Sequence, residues 1–137
     1  MNPVPTEPVV VSNADLLSSV DFDSLVDFHI EQGSDATITV CDYEVQNPFG
    51  VIRISDGKVV EIIEKPVMRS KISAGIYVLD PSIIANIPHG EPCDMPSILQ
   101  SAISGQLMVT DFQLHEDWMD IGRQSDLIAA KVRIRKL

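Results

Sequence analysis

Two aspartates stand where carboxylates commonly do chemistry. Asp15 follows the apolar run Pro8-Val9-Val10-Val11-Ser12, and Asp120 sits in Asp117-Trp118-Met119-Asp120-Ile121-Gly122, after a strand-like run and before a helical one. In open α/β sheets, ligands bind beyond the carboxyl ends of strands. A carboxylate pair there can hold a hard divalent ion such as Mg²⁺ while phosphate oxygens complete its octahedron. The competing reading makes both residues helix caps on solvated turns, and spacing alone leans toward it.

A second group is Glu64-Lys65-Pro66, where the ammonium suits a phosphate and the carboxylate suits sugar hydroxyls. A solvated strand end stopped by proline explains the same residues equally well. Gly50 and Gly75 lie in or beside strand-like runs, where glycine marks a bulge or a close backbone approach to a ligand. His29, His89 and His115 share no metal spacing with Cys41 or Cys93 and read as structural or solvent-facing. No Gly-x-Ser-x-Gly elbow or Cys/His nucleophile signature occurs.

The elements that must position these groups alternate along the chain. The run 8–12 has no polar alternation, the pattern of a strand covered on both faces and set mid-sheet. A polar turn at Asn13-Ala14-Asp15 follows, then a helix capped by Asp21 and Gly33 with Phe22, Leu25, Val26 and Phe28 on its stripe. A strand is expected over 35–41. Asp56-Gly57 between two β-branched runs, 51–54 and 59–63, predicts a hairpin. Another strand is expected over 72–79. Asp80-Pro81 opens a short helix ended by Pro88, and a further helix runs from Asp94 to Gly105. A strand over 107–114 and a helix from about Gln124 complete the series. The pattern is that of an α/β fold with a mixed sheet flanked by helices.

Length and charge bound what this fold can do. The 137 residues are 45% hydrophobic and 22% charged, which suits one domain over residues 7–137 after a proline-containing extended leader, 1–6. Two cysteines form no disulfide framework, so a reducing cytoplasm is the expected location. The net charge of −10 has the wrong sign for a nucleic-acid partner. No run of 18 uncharged apolar residues supports a membrane partner.

In this order the pieces resemble the sugar-phosphate nucleotidyltransferases, in their second half. Val9-Val10-Val11-Ser12-Asn13-Ala14-Asp15 is similar to the family's apolar strand ending in Asn-Gly-Asp. Asn47-Pro48-Phe49-Gly50-Val51 is similar to its Tyr-Gly-Val segment, and Glu64-Lys65-Pro66 to its Glu-Lys-Pro. Ser73-Ala74-Gly75-Ile76-Tyr77 resembles Asn-Ala-Gly-Ile-Tyr, and Trp118-Met119-Asp120-Ile121-Gly122 resembles Trp-x-Asp-Ile-Gly. The guanylyl- and uridylyl-type transferases are the nearest in flavour. The resemblance implies a Rossmann-like domain, with Asp15 and Asp120 holding Mg²⁺. It also implies that Lys65 contacts the sugar phosphate and Glu64 the sugar hydroxyls, and that Gly50 and Gly75 lie against the sugar.

The departures carry as much weight. The family's Gly-Gly-x-Gly-x-Arg loop and following Lys belong to a first half that these residues lack. The seven glycines, at 33, 50, 57, 75, 90, 105 and 122, are never closer than seven positions, so no phosphate cradle is present. Ala14 replaces Gly and Ser73 replaces Asn. The expected protein is therefore a truncated relative, inactive alone, that retains a sugar-phosphate and Mg²⁺ site. The alternatives are one half of a split transferase and a non-catalytic dimerising interaction module. An apolar strand without its neighbours leaves an edge that invites pairing. A homodimer or a partner chain docked at the edge of residues 9–12 is expected.

Overall fold

In a computed structural model of the chain, residues 5–88 and 90–121 are described. The leader's first four residues, His89, Gly122 and the expected helix from Gln124 lie outside them. The chain divides into two compact units, one of residues 1–40 and 73–137 and one of Cys41–Ile72.

The first unit is built on a four-stranded sheet in the order β1 (Val9–Ser12), β6 (Val67–Leu79), β3 (Ala36–Gln46), β7 (Val109–Gln113). β1 runs antiparallel to β6, with Val9 opposite Leu79 and Val11 opposite Tyr77. β3 runs parallel to β7, with Ala36 opposite Val109. Strand β6 begins at Val67 and β3 ends at Gln46, so both extend past the expected bounds into the second unit. This is an α/β fold with a mixed sheet and helices, as the sequence predicts.

Helices cover both sheet faces of this unit. Ala36, Tyr77 and Leu79 pack with Ile83 and Ile84 of α2 (Pro81–Ala85) and with Leu99 and Ala102 of α3 (Met95–Ser104), and Val9, Val11 and Ile38 close over them. Alternate strand residues point the other way. Thr37 accordingly meets α1 (Phe22–Gln32), where its hydroxyl lies 2.9 Å from His29 Nδ1. Thr37 also reaches Thr110 at 3.0 Å, and Thr39 donates to the Ile76 carbonyl at 2.8 Å. These buried hydroxyls escape the cost of an unpaired polar group because each has a partner.

The caps form as their residue types dictate. Asp21 accepts from the backbone N–H groups of Asp23 and Ser24, Asp80 from Ser82 and Asp94 from Ser97. The hydroxyl of Ser24 above all holds the Asp21 carboxyl below its usual range, and Ser97 does the same for Asp94. Gly33 ends α1 at φ +61°.

Four expectations are corrected. β1 is the edge strand of its sheet rather than a mid-sheet strand, and its valines are half-buried. A short strand, β2 (Leu16–Ser18), intervenes between Asp15 and α1. The stripe of α1 buries Leu25 and His29, while Phe22 is exposed. Helix α2 stops at Ala85, three residues before Pro88, where Asn86 caps it.

The second unit contains a hairpin of β4 (Val51–Ser55) and β5 (Lys58–Ile63). Asp56 at φ +48° and Gly57 at φ +74° form its turn, the paired positive φ values that Asp-Gly favours. No helix among the described residues is long and apolar enough to cross a membrane.

Candidate functional site

A two-stranded ribbon brings the chain segments that carry the two aspartates to one end. β2 pairs antiparallel with β8 (Trp118–Asp120), setting Leu16 opposite Asp120 and Ser18 opposite Trp118. One step further, the Ile121 N–H donates to the Asp15 carbonyl at 2.8 Å. Asp15 and Asp120 thus occupy adjoining positions at one end of the ribbon, and both are exposed. Asp15 does not cap α1, since Asp21 does, and Asp120 is the last residue of β8; the helix expected after Asp120 lies outside the described residues.

Gly75 and its neighbours fix this ribbon to β6. The Asn13 N–H donates to the Gly75 carbonyl at 2.9 Å, and the Trp118 indole N–H donates to the Ala74 carbonyl at 2.7 Å. Gly75 has φ +76°, and a Cβ there would stand 2.8 Å from Asn13 Nδ2 and 2.9 Å from Leu16 Cδ1. The space that glycine opens is filled by the chain's own side chains. Ser73 takes a supporting part: its hydroxyl accepts from the Gly75 N–H at 3.2 Å and donates to the Tyr77 hydroxyl at 3.0 Å.

In the second unit, Gly50 and Glu64 are brought together. The β4–β5 register sets Val51 opposite Ile63, and the next step puts Glu64 beside Gly50, its Oε2 3.1 Å from where a Cβ would stand. Lys65 follows at φ +44°, a left-handed conformation uncommon for a side-chain-bearing residue, and is exposed. The Asn47 N–H donates to the Pro66 carbonyl at 2.9 Å, closing the unit's base.

The candidates therefore form two groups, Asp15, Asp120 and Gly75 in the first unit and Gly50, Glu64 and Lys65 in the second. Reading the sequence by spacing leaves out Asn13 and Trp118 as positioning residues. Trp118 carries a signal of its own, since a partly buried indole N–H requires an acceptor. Among the described residues no cluster of three or more His, Cys, Asp or Glu side chains could hold a metal alone. Two carboxylates still suit Mg²⁺, which commonly takes one or two and completes its shell with water and phosphate oxygens.

A family model of nucleotidyl transferases matches residues 2–136. The chain is 34% identical over 125 residues to a mannose-1-phosphate guanylyltransferase catalytic subunit beta from Drosophila pseudoobscura pseudoobscura, covering 89% of this chain and 33% of that protein. The corresponding subunit of Dictyostelium discoideum is 29% identical over 127 residues, covering 90% and 35%. The chain thus spans about a third of the length of these curated relatives. Among solved structures, a Bacillus anthracis protein assigned as a glucose-1-phosphate thymidylyltransferase, in complex with a sucrose, superposes with TM-score 0.68 at 25% identity, over 98% of this chain and 57% of that one. With its motifs in order and a matching fold, this chain belongs to the nucleotidyl transferase family, among the sugar-phosphate nucleotidyltransferases.

Proposed function

We propose that these 137 residues carry the metal-holding and sugar-phosphate-recognising part of a sugar-phosphate nucleotidyltransferase and do not transfer a nucleotide by themselves. The pairing of β2 with β8 supports this reading, because it carries two exposed aspartates, distant in sequence, to neighbouring backbone positions at one ribbon end. Asp15 and Asp120 are the residues that would hold Mg²⁺, and the bound ion would neutralise phosphate charge. Asn13 and Trp118 position them by tying the ribbon to Gly75 and Ala74. In the second unit, Glu64 is read as the acceptor for sugar hydroxyls and Lys65 as the cation for a phosphate. Gly50 leaves room for the Glu64 carboxylate.

Transfer needs a triphosphate cradle, and no two glycines here are close enough to form one. A glycine-rich stretch from outside these residues would supply it, and β1, an edge strand, is where an added strand can pair. The cytoplasm suits the two free cysteines, Cys41 and Cys93.

Amide NMR tests this reading with mannose 1-phosphate and glucose 1-phosphate, each titrated with and without Mg²⁺. The expected result is Mg²⁺-dependent shifts at 13–16 and 118–121 together with shifts at 64–65, and no nucleotide-sugar on addition of radiolabelled GTP. Unperturbed spectra, or turnover by the chain alone, would overturn it.

A further inference from the structure

The second unit presents an amphipathic ribbon with one apolar face in water. In the β4–β5 register, Arg53 stands opposite Glu61 and Ile52 opposite Ile62. A bulge after Arg53 then brings Ile54 opposite Val59. Side chains alternate in direction along a strand. Arg53 and Glu61 share one face, joined by an ion pair of 2.8 Å. Ile52, Ile54, Val59 and Ile62 take the other, and they are 46%, 65%, 59% and 68% exposed. An isolated two-stranded ribbon is marginal in water, and a contiguous apolar face of this kind usually marks an interface.

Charge selects what covers it. The whole chain carries −10, yet residues 41–72 hold five acidic and five basic side chains and no net charge. Three ion pairs within the unit, Arg53 with Glu61, Arg69 with Glu44 and Lys71 with Asp42, pair much of that charge locally. All of the excess negative charge therefore belongs to the other unit. A basic partner would be drawn to that acidic surface and would gain nothing at a neutral apolar face. A second copy of the chain meets the reverse situation: two bodies of −10 repel, and they approach at least cost where neither carries net charge.

The area is sufficient. At on the order of 100 Å² for each exposed Ile or Val side chain, the four residues and the bulged Val60 offer about 500 Å² per copy. Pairing buries about 1,000 Å², the lower bound for a specific interface. The four-residue edge of β1 is the competing surface, but it is short and its valines are already half-buried.

We propose that two copies of this chain associate through the β4–β5 ribbon, apolar face against apolar face about a twofold axis. The interface is small, so the dimer is a micromolar one. The proposal is independent of the proposed function, since none of Ile52, Ile54, Val59 or Ile62 belongs to the candidate site.

Sedimentation velocity of the full chain from 1 to 100 µM tests it. The wild type is expected to pass from monomer to dimer across that range, and Ile54→Lys to weaken association at least tenfold by placing like charges in the interface. Ile54→Glu is expected to be equally monomeric, and an equimolar mixture of the two to recover a heterodimer. Because Ile54 is exposed, both variants should keep the wild-type circular dichroism spectrum. Ile54→Thr, which preserves strand preference without adding charge, should weaken the dimer less and serves as the check if a charged variant misfolds. A monomer at 100 µM would overturn the proposal, and so would a dimer indifferent to Ile54→Lys and Ile54→Thr, which must form elsewhere, the β1 edge included.

Discussion

The indole N–H of Trp118 donates to the carbonyl of Ala74 at 2.7 Å, fastening the strand that carries Asp120 to the strand that carries Gly75. Without that bond the Ala74 carbonyl loses this donor and the β2–β8 ribbon loses an anchor. Trp118→Phe keeps the aromatic bulk and removes only the donor. It is expected to cost about 0.5–1.5 kcal/mol in urea unfolding, the net worth of one hydrogen bond. Wild-type stability in Trp118→Phe would show that the ribbon is held by packing alone.

Gly75 tests the same junction from the other side. Gly75→Ala forces a side chain into φ +76° and against Asn13 Nδ2 and Leu16 Cδ1 at under 3 Å. The expected loss is about 1–3 kcal/mol, with amide shifts spreading through 13–16. Wild-type stability in this variant would mean that Asn13 moves aside freely and positions nothing.

His29 sets a pH dependence. Burial lowers its pKa below 6.5, against a weaker upward pull from Asp80 and Asp35. The unfolded chain therefore binds a proton more readily than the folded one below about pH 6.5, so stability falls as the pH drops through that region. The slope from this one group is at most about 1.4 kcal/mol per pH unit. Urea midpoints between pH 7.5 and 5 should decline for the wild type and decline less for His29→Gln. Identical slopes would show that His29 titrates normally in the folded chain.

What the sequence reveals and what it conceals divide by range. Asp21, Asp80 and Asp94 cap helices by accepting from backbone N–H groups within three residues, and Asp56-Gly57 turns a hairpin by adopting positive φ, so both devices are local in sequence. The pairing of Leu16-Leu17-Ser18 with Trp118-Met119-Asp120 is hidden, since three-residue strands have too little periodicity to read and their partners lie about a hundred positions apart. That pairing is what carries Asp15 and Asp120 to neighbouring backbone positions, so the residue types of the candidate site are legible from the sequence and the placement of their segments is not. The α1 stripe misleads for a different reason. His29 is buried in place of Phe22 because the Thr37 hydroxyl offers it a partner on the facing strand, a tertiary choice that helical spacing does not record.

Substituting Mn²⁺ for Mg²⁺ and recording paramagnetic broadening of the amide spectrum asks whether Asp15 and Asp120 hold a divalent ion between them. Broadening is expected to centre on residues 13–16 and 118–121 and to be lost in Asp15→Asn and in Asp120→Asn. Broadening spread over the acidic surface at large, or unchanged in both variants, would contradict it.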